Sequence, residues 1–166
     1  MTRQTRRQWL VALGATVVGV PLVAWATRES EVPSGAFAVR KSDTEWRAAL
    51  DDNAYRILRR AHTERPYSSP LHDDHSRGIY ACAGCGGRLF SSDANFDSGT
   101  GWPSFTSPLG GAVGTRVDRG LLMVIVRTEV YCAQCGGHLG HVFSDGPRPT
   151  GLRYCINGGA LRKEPA

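Results

Sequence analysis

Apolar side chains recur at helical spacing in one stretch of the chain, "SDTEWRAALDDNAYRILRRAHTE" (42–64). Ser42 and Glu45 have the spacing of a capping box, in which each side chain bonds an amide that the first helical turn leaves unpaired. The pattern predicts a pair of packing helices with a break at 51–53. The positions that would share the buried face are Trp46, Leu50, Ile57, Leu58 and Ala61.

A different pattern begins after Gly78, where short runs rich in β-branched and aromatic residues alternate with turns. Such runs are typical of β-strands. The predicted strands cover 79–82, 88–90, 113–117, 121–132, 141–143 and 152–157. Asp118, Arg119 and Gly120 are predicted to form a hairpin turn. We therefore predict a mainly β (α+β) domain with antiparallel strands and N-terminal helices.

The first residues differ from the rest of the chain. Arg6 and Arg7 precede an uncharged apolar run, 10–26, which ends in small residues at Ala24 and Ala26. This pattern is typical of a twin-arginine export signal and predicts a periplasmic protein. The alternative is an uncleaved anchor that holds the domain on the periplasmic face, because about 17 apolar residues just span a bilayer. The predicted signal, linker and folded domain cover 1–26, 27–41 and 42–166.

The charge of the chain changes once that signal is removed. The whole sequence has a formal net charge of +5. Residues 1–26 hold three arginines and no acidic residue, so the charge of the remainder is +2. A nucleic-acid partner is therefore not predicted, because that function normally needs a strongly basic surface. A membrane partner is predicted only if the signal stays uncleaved.

Four of the five cysteines form two CxxC pairs within a short repeat. "CAGCGGRL" (82–89) and "CAQCGGHL" (132–139) agree at six of eight positions. Two thiolates separated by two residues bind one ion from a tight turn, and two such turns complete a tetrahedron. The pattern predicts one structural Zn²⁺ held by Cys82, Cys85, Cys132 and Cys135. Disulfides, a redox pair or an iron site are the alternatives.

Cys155 is the unpaired cysteine, and its neighbours suggest chemistry. Arg153 lies two residues earlier in a predicted strand, so both side chains would share a face and the guanidinium would favour a thiolate. His138 and His141 follow the second cysteine pair. From the residues alone, Cys155 is either a nucleophile or a small buried residue. His138 is a candidate general acid, zinc ligand or surface residue.

Further stretches of sequence occur together in a distinctive order. They are "EWRAAL" with "AYRILRRAHTERPYSSPL", then "FDSGTGWPSF" (96–105), then "RTEVYCAQCGGHLGHVFSDGPRPTGLRYCINGGAL" (127–161). Together they closely resemble methionine-R-sulfoxide reductases of the B type, which repair one epimer of oxidised methionine. The resemblance runs from Ser42 to Leu161. It implies two antiparallel sheets with flanking helices and a zinc knuckle pair.

The resemblance also implies a role for each candidate site residue. Cys155 would attack the sulfoxide, and the indole of Trp102 would hold the substrate methyl group. His138, His141 and Asn157 would surround the sulfoxide oxygen, with His141 as the proton donor. The cysteine would become a sulfenic acid. The substrate would be oxidised methionine in proteins, and the free amino acid is a second predicted substrate.

Two departures from the family pattern change the prediction. Thr100 stands where many members carry a second cysteine that resolves the sulfenic acid, so regeneration requires an external thiol, either a thioredoxin-like protein or a small molecule. Gly158 and Gly159 replace the small side chains usual in the family, which predicts a looser backbone beside Asn157. Two other function classes stay open, an iron tetrathiolate electron carrier and a zinc-ribbon binding module.

Overall fold

The computed structural model describes residues 37–119 and 126–165. Two short helices come first, α1 (Asp43–Ala49) and α2 (Asp52–Arg60). The predicted capping box is present, since the Glu45 carboxylate accepts from the Ser42 amide at 2.7 Å and the Ser42 hydroxyl accepts from the Glu45 amide. The break lies at 50–51, because Asp51 caps α2 through the amide of Ala54 at 2.8 Å.

The described residues form nine strands in two antiparallel sheets, which confirms the predicted fold class. The strands are β1 (Gly78–Cys82), β2 (Arg88–Ser91), β3 (Asn95–Phe96), β4 (Ser104–Phe105), β5 (Val113–Arg119), β6 (Val126–Cys132), β7 (His138–Phe143), β8 (Arg153–Ile156) and β9 (Leu161–Pro165). The smaller sheet has the order β2-β1-β9. The larger sheet has the order β3-β4-β8-β7-β6-β5.

One predicted turn is wrong. Asp118 and Arg119 continue strand β5 and pair with Arg127 and Val126 of β6. An ion pair between Asp118 and Arg127, at 2.8 Å, supports this extension of the ladder. The predicted turn therefore does not begin at Asp118, and residues 120–125, which include Gly120 and the start of the strand predicted at 121–132, lie outside the described residues. Strand β9 was not predicted, because its charged residues and proline are typical of the edge position that it occupies.

The core lies between the helices and the two sheets. The predicted helix face is largely confirmed, since Trp46, Ile57 and Leu58 are all buried. Aromatic rings fill the centre, where Phe105 stacks on Phe90 at 4.3 Å between ring centroids and meets Tyr80 edge-on. Aromatic pairs of this kind contribute about 0.5–1.5 kcal/mol beyond the area that they bury.

The start of the described chain packs on the domain. The Val39 amide donates to the Gln134 carbonyl at 2.9 Å, and the Phe37 ring meets the Tyr131 ring at 5.8 Å. Phe37 and Val39 fall within 27–41, the segment predicted as a linker. The predicted signal, 1–26, lies outside the described residues. Within 37–119 and 126–165, no helix has the length and apolar character needed to cross a bilayer.

Candidate active site

The four paired cysteines converge at one point between the two sheets. The Cys82 and Cys135 sulfurs lie 3.8 Å apart, and the Cys85 and Cys132 sulfurs lie 3.6 Å apart. All four sulfurs lie within 4.8 Å of one another. A tetrahedron with Zn–S bonds of about 2.3 Å has edges of about 3.8 Å, so the cluster fits zinc. The unbonded sulfurs do not support the disulfide alternative.

The two halves of the repeat fold alike around this cluster. In the first, the Gly86 amide donates to the Cys82 carbonyl, and in the second the Gly136 amide donates to the Cys132 carbonyl. Both glycines have left-handed backbone, with φ of 74° and 68°, which other residues adopt at a cost. Hydrogen bonds within the cluster, those with Cys132 first, raise the pKa of Cys82. Four sulfurs at these distances could hold one metal ion.

Cys155 lies near the middle of the larger sheet, in a row of directly paired residues. His141 on β7 pairs with Cys155 on one side, and Ser104 on β4 pairs with it on the other. The row continues from His141 to Glu129 and Arg116. Residues paired across antiparallel strands point to the same face with Cβ atoms about 4.5–5.5 Å apart. The register therefore places the predicted nucleophile beside the predicted acid.

An irregularity in β7 brings the second histidine to this face. In a regular strand, His138 and His141 would point to opposite faces, because they lie three residues apart. The register between β6 and β7 shifts between Val130 and Tyr131, and the two imidazole centroids lie 5.5 Å apart. Bulges of this kind commonly re-aim side chains next to functional sites.

Gly140, between the two histidines, permits a close approach of strand β8. A Cβ atom at this position would lie 2.1 Å from the Cys155 carbonyl oxygen. Contacts this short do not occur, so a side chain here would push β8 away. The glycine thus fixes the distance between the strand of the histidines and the strand of the cysteine.

A cavity of about 150 Å³ opens beside the cysteine. It brings together four of the predicted site residues, and His138 is not among its lining residues. The lining residues are Thr63, Trp102, Arg127, Gly140, His141, Phe143, Cys155 and Asn157. The cavity has apolar walls at Trp102 and Phe143 and polar groups at His141 and Asn157, which suits a ligand with both a thioether end and an oxygen.

Arg153 favours the thiolate form of Cys155, as predicted, but burial of the sulfur outweighs this effect. Burial raises the pKa of the Cys155 thiol above its ordinary value, and the hydrogen bond with Thr100 and then the charge of Arg153 offset only part of that effect. The guanidinium of Arg153 donates to both carboxylate oxygens of Asp145, at 2.9 and 2.7 Å. Asp145 therefore offsets part of the positive charge of Arg153, and the cysteine rests as a neutral thiol.

Asp118 holds the ring of His141. The His141 Nε2 lies 2.9 Å from the Asp118 Oδ2, and the Arg127 Nη2 donates to the same oxygen at 2.8 Å. Burial acts to raise the pKa of Asp118, but the bonds from His141 and Arg127 outweigh it and lower that pKa. Burial also lowers the pKa of His141. A neutral His141 thus donates its Nε2 proton to Asp118 and keeps Nδ1 as a base.

His138 is held by a second carboxylate. Its Nδ1 lies 2.8 Å from the Glu129 Oε1, which also accepts from the Arg116 Nη2 at 2.8 Å. Burial acts to raise the pKa of Glu129, but the bonds from His138 and Arg116 outweigh it and lower the pKa to about 2. The His138 Nε2 is buried without a hydrogen-bond partner among the described residues.

Glu64 connects Asn157 to Trp102. The Glu64 amide donates to the Asn157 Oδ1 at 3.0 Å, and the Trp102 indole donates to the Glu64 carbonyl at 3.3 Å. The Glu64 carboxylate accepts from the amides of Gly158 and Gly159, at 2.5 and 2.9 Å. These two hydrogen bonds oppose the predicted looseness at the two glycines, because a buried carboxylate holds both amides.

Sequence reasoning missed the three carboxylates that support the site, at Glu64, Asp118 and Glu129. The available signal was the alternation along β6, where the charged residues Arg127 and Glu129 share one face of the strand and Glu129 is buried. Buried charges of this kind are retained only where they are paired. Nothing in the sequence predicted the partners, because these lie on other strands.

Comparison with known proteins assigns the family. A family model described as the SelR domain matches residues 50–165. The chain belongs to the SelR family. All the predicted catalytic, substrate and zinc residues lie inside the matched region. The family resemblance inferred from the sequence is thereby confirmed.

Several curated SelR relatives match most of this chain. The peptide methionine sulfoxide reductase MsrB of Bradyrhizobium diazoefficiens is 57% identical over 129 residues, which cover 76% of this chain and 91% of the relative. The protein of the same name from Leptospira interrogans is 50% identical over 127 residues, covering 76% and 95%. That of Methanosarcina barkeri is 50% identical over 124 residues, covering 75% and 87%.

Proposed function

We propose that this SelR protein is an oxidoreductase that reduces methionine-R-sulfoxide, in proteins and as the free amino acid, with Cys155 as the nucleophile. The observation that carries the proposal is the cavity in which Cys155, His141 and Trp102 meet, in a chain whose relatives are named as methionine sulfoxide reductases. The enzyme class follows from the family. The residue roles follow from the geometry and the resemblance.

The reaction balances without an outside proton. The Cys155 sulfur attacks the sulfoxide sulfur, the S–O bond breaks, and the oxygen ends on Cys155 as a sulfenic acid while methionine is released. Methionine gains two electrons and the cysteine loses two. The thiol proton is the one that the leaving oxygen needs, and the free Nδ1 of His141 supports its transfer. The charge of Asp118 stabilises the imidazolium formed on the way.

Trp102 and Asn157 support substrate orientation. The indole of Trp102 is tied through its N–H to the Glu64 carbonyl, so its ring is a fixed apolar wall for an S-methyl group. Asn157 donates from Nδ2 to the Leu139 carbonyl at 2.9 Å, which holds the amide at the cavity wall. The unpartnered Nε2 of His138 supports a role toward the sulfoxide oxygen.

Regeneration needs a thiol from outside the chain. The other four cysteines lie together in the metal cluster, and the group next to the Cys155 sulfur is the hydroxyl of Thr100, 4.0 Å away. An external thiol attacks the sulfenic acid and releases water, which forms a mixed disulfide, and a second thiol then frees Cys155. After one turnover without reductant, intact-mass analysis should find an oxidised Cys155 and no internal disulfide.

Zinc has a structural role in this proposal. Cys82, Cys85, Cys132 and Cys135 would hold it, and when bound it supplies a four-thiolate cross-link between the ends of β1 and β6. For the location, we propose export to the periplasm by the twin-arginine-type pattern at 1–26, with a membrane anchor as the alternative. Fractionation of cells that express the full chain, with and without Arg6→Lys and Arg7→Lys, tests this.

The direct test is the Cys155→Ser variant with separated R and S epimers of a methionine sulfoxide peptide and dithiothreitol as reductant. Wild type should reduce the R epimer alone, and the variant should be inactive while it keeps one zinc per chain. A variant that reduced the R epimer at the wild-type rate would refute the assignment. Bound iron in place of zinc, with a visible colour, would favour the electron carrier instead.

A further inference from the structure

A single 3₁₀ turn, Gly158–Ala160, follows directly after Asn157. An asparagine at this position normally caps the turn, because its side-chain oxygen accepts from the first free amides. Asn157 makes no such bond. Glu64 takes its place, since its Oε1 accepts from the Gly158 amide at 2.5 Å and its Oε2 accepts from the Gly159 amide at 2.9 Å. A carboxylate from a distant part of the chain therefore caps the turn.

This cap leaves the side-chain amide of Asn157 free for other partners. Its Oδ1 accepts from the Glu64 main-chain amide at 3.0 Å, and its Nδ2 donates to the Leu139 carbonyl at 2.9 Å. These two bonds fix the orientation of the amide, because only the oxygen can accept and only the nitrogen can donate. The second proton on Nδ2 has no acceptor among the described residues, and Asn157 lines the cavity. That N–H group is the one left for a ligand.

The main chain around Glu64 also holds the loop that carries Trp102. The Glu64 carbonyl accepts from the Trp102 indole at 3.3 Å. Three residues later, the Tyr67 amide donates to the Gly101 carbonyl at 2.7 Å, and the Tyr67 hydroxyl donates to the Gly99 carbonyl at 3.0 Å. Glu64 is buried and is not among the residues that line the cavity. It therefore acts on the cavity through its neighbours.

A carboxylate is the side chain that fits both amides of the turn. Both of its oxygens accept, whereas the side chain of glutamine has one oxygen and one NH₂ group. In Glu64→Gln, one of the two glycine amides would face another donor, and a buried donor without an acceptor is costly. The turn would regain a cap if the Asn157 side chain rotated toward it. That rotation would withdraw the Asn157 amide from the cavity.

We propose that Glu64 is a positioning residue for sulfoxide reduction, which caps the turn and so keeps the Asn157 amide directed at the sulfoxide oxygen. The inference rests on the proposed function, because it concerns the bond from Asn157 to that oxygen. Negative charge grows on the oxygen as the S–O bond breaks, so this bond is stronger in the transition state than in the bound substrate. Misplacing the amide therefore slows the reaction more than it weakens binding.

The test is the single-turnover rate of methionine formation by zinc-loaded, full-length protein without reductant, over a range of concentrations of an R-sulfoxide peptide. For Glu64→Gln, we expect the rate at saturating peptide to fall about tenfold, which corresponds to about 1.4 kcal/mol. The peptide concentration that gives half of this rate should change by less than about twofold. The reason is that the carbonyl bound to Trp102 belongs to the main chain and is kept.

A cycle of single and double variants shows whether Glu64 acts through Asn157. Asn157→Ala should lower the saturating rate at least as much as Glu64→Gln does, and the double variant should be no slower than Asn157→Ala alone. If glutamine prevents folding, Glu64→Asp replaces it in the same cycle. Its shorter side chain keeps the charge but reaches only one amide, so its rate should lie between those of wild type and Asn157→Ala.

Ser42→Ala is the matched control for a loss of stability. The Ser42 hydroxyl caps α1, and its removal should lower the stability of the protein without a change in either kinetic value. A general loss of folded protein would lower the rate of this control as well. Thermal denaturation of each variant gives the stability against which the rates are compared.

Three results would overturn the proposal. They are an unchanged saturating rate in the Glu64 variant, the same factor of loss in the wild-type and Asn157→Ala backgrounds, and a change confined to the half-saturating concentration. Failure of the proposed function would be seen differently, because wild-type protein would then form no methionine from the R epimer.

Discussion

The two cysteine regions of this molecule are assembled in opposite ways. The cluster of Cys82, Cys85, Cys132 and Cys135 is built from two tight local turns with the same backbone bonds, and each turn needs only its own residues. Cys155 has no local motif of this kind, and its surroundings come from strands β4, β6 and β7 and from the loop before β4. The grouping of the four cluster sulfurs can be predicted from the spacing of the cysteines. The surroundings of the Cys155 sulfur depend instead on the register between strands.

The comparison also separates structural from chemical roles. In the cluster, the sulfurs face one another and could hold one metal ion, whereas the Cys155 sulfur faces a hydroxyl, an imidazole and an indole. The first arrangement suits a cross-link and the second suits a reaction. Each of the following changes breaks or sharpens this contrast.

Loss of one cluster ligand should have the largest effect. Cys132→Ser leaves three thiolates in a buried place, and we expect loss of zinc and of the cooperative thermal transition, because binding of structural zinc contributes about 10 kcal/mol or more to folding. Metal analysis and calorimetry measure both. Cys155→Ser is the matched control and should keep zinc and the transition. If both variants kept zinc and the transition, or both lost them, the structural role would not be specific to the four-cysteine cluster.

The next largest effect is expected at Glu129. Its pKa in the fold is about 2 against an ordinary 4.5, so its contribution to stability is present above about pH 4.5 and is lost as the pH falls toward 2. Glu129→Gln should lower the free energy of unfolding at pH 7 by about 3 kcal/mol and flatten its dependence between pH 4.5 and 2. Denaturant titrations at several pH values measure this, with the exposed Glu164→Gln as control.

Asp118→Asn should reduce kcat/KM about 10- to 100-fold with little change in stability. The amide can still hold the His141 ring but cannot stabilise an imidazolium, which costs about 1.4–2.8 kcal/mol in the transition state. The pKa of His141, already lowered by burial, should fall further without the carboxylate, so the acid limb of the kcat/KM profile moves to lower pH. Asp43→Asn on α1 is the control, and an unshifted profile would exclude this role.

The smallest effect concerns the two glycines after Asn157. A Cβ at Gly158 would meet the Ser69 Oγ at 2.1 Å, so Gly158→Ser should destabilise the protein by about 1–3 kcal/mol through overpacking. Ser69→Gly should recover most of that loss in the double variant, because the two positions share one space. Thermal denaturation of all four proteins measures the coupling. Additive effects would show that contact with Ser69 is not the reason why glycine is needed at position 158.

Sequence reasoning worked where the physics is local. The capping box, the helix pair, the strand runs and the cysteine turns depend on residues within a few positions of one another, and the structure contains them wherever they fall on described residues. The resemblance to a family then brought together Cys155, His141 and Trp102, which spacing alone did not. Register, the bulge in β7 and the partners of buried charges were not predicted, because each depends on another strand.

The prediction for Cys155 was right about Arg153 but incomplete for the same reason. The spacing of Arg153 and Cys155 was right, but Asp145 binds the guanidinium and burial acts on the sulfur. The sequence shows that a charged residue lies near the cysteine. It does not show whether that charge is already paired with another residue. The turn predicted at Asp118 failed likewise, since the ion pair with Arg127 extends the strand.

The cysteine cluster also divides the chain mechanically. Residues 86–131 lie between Cys85 and Cys132, so an ion bound to all four sulfurs ties this segment into a closed ring that includes Trp102, while Cys155 lies in the tail beyond it. A force that pulls on the two chain ends would not extend the ring segment until a metal–sulfur bond breaks. In a stretching experiment, Cys155 should therefore leave the cavity before Trp102 does, and removal of zinc by a chelator should increase the length of chain that is released.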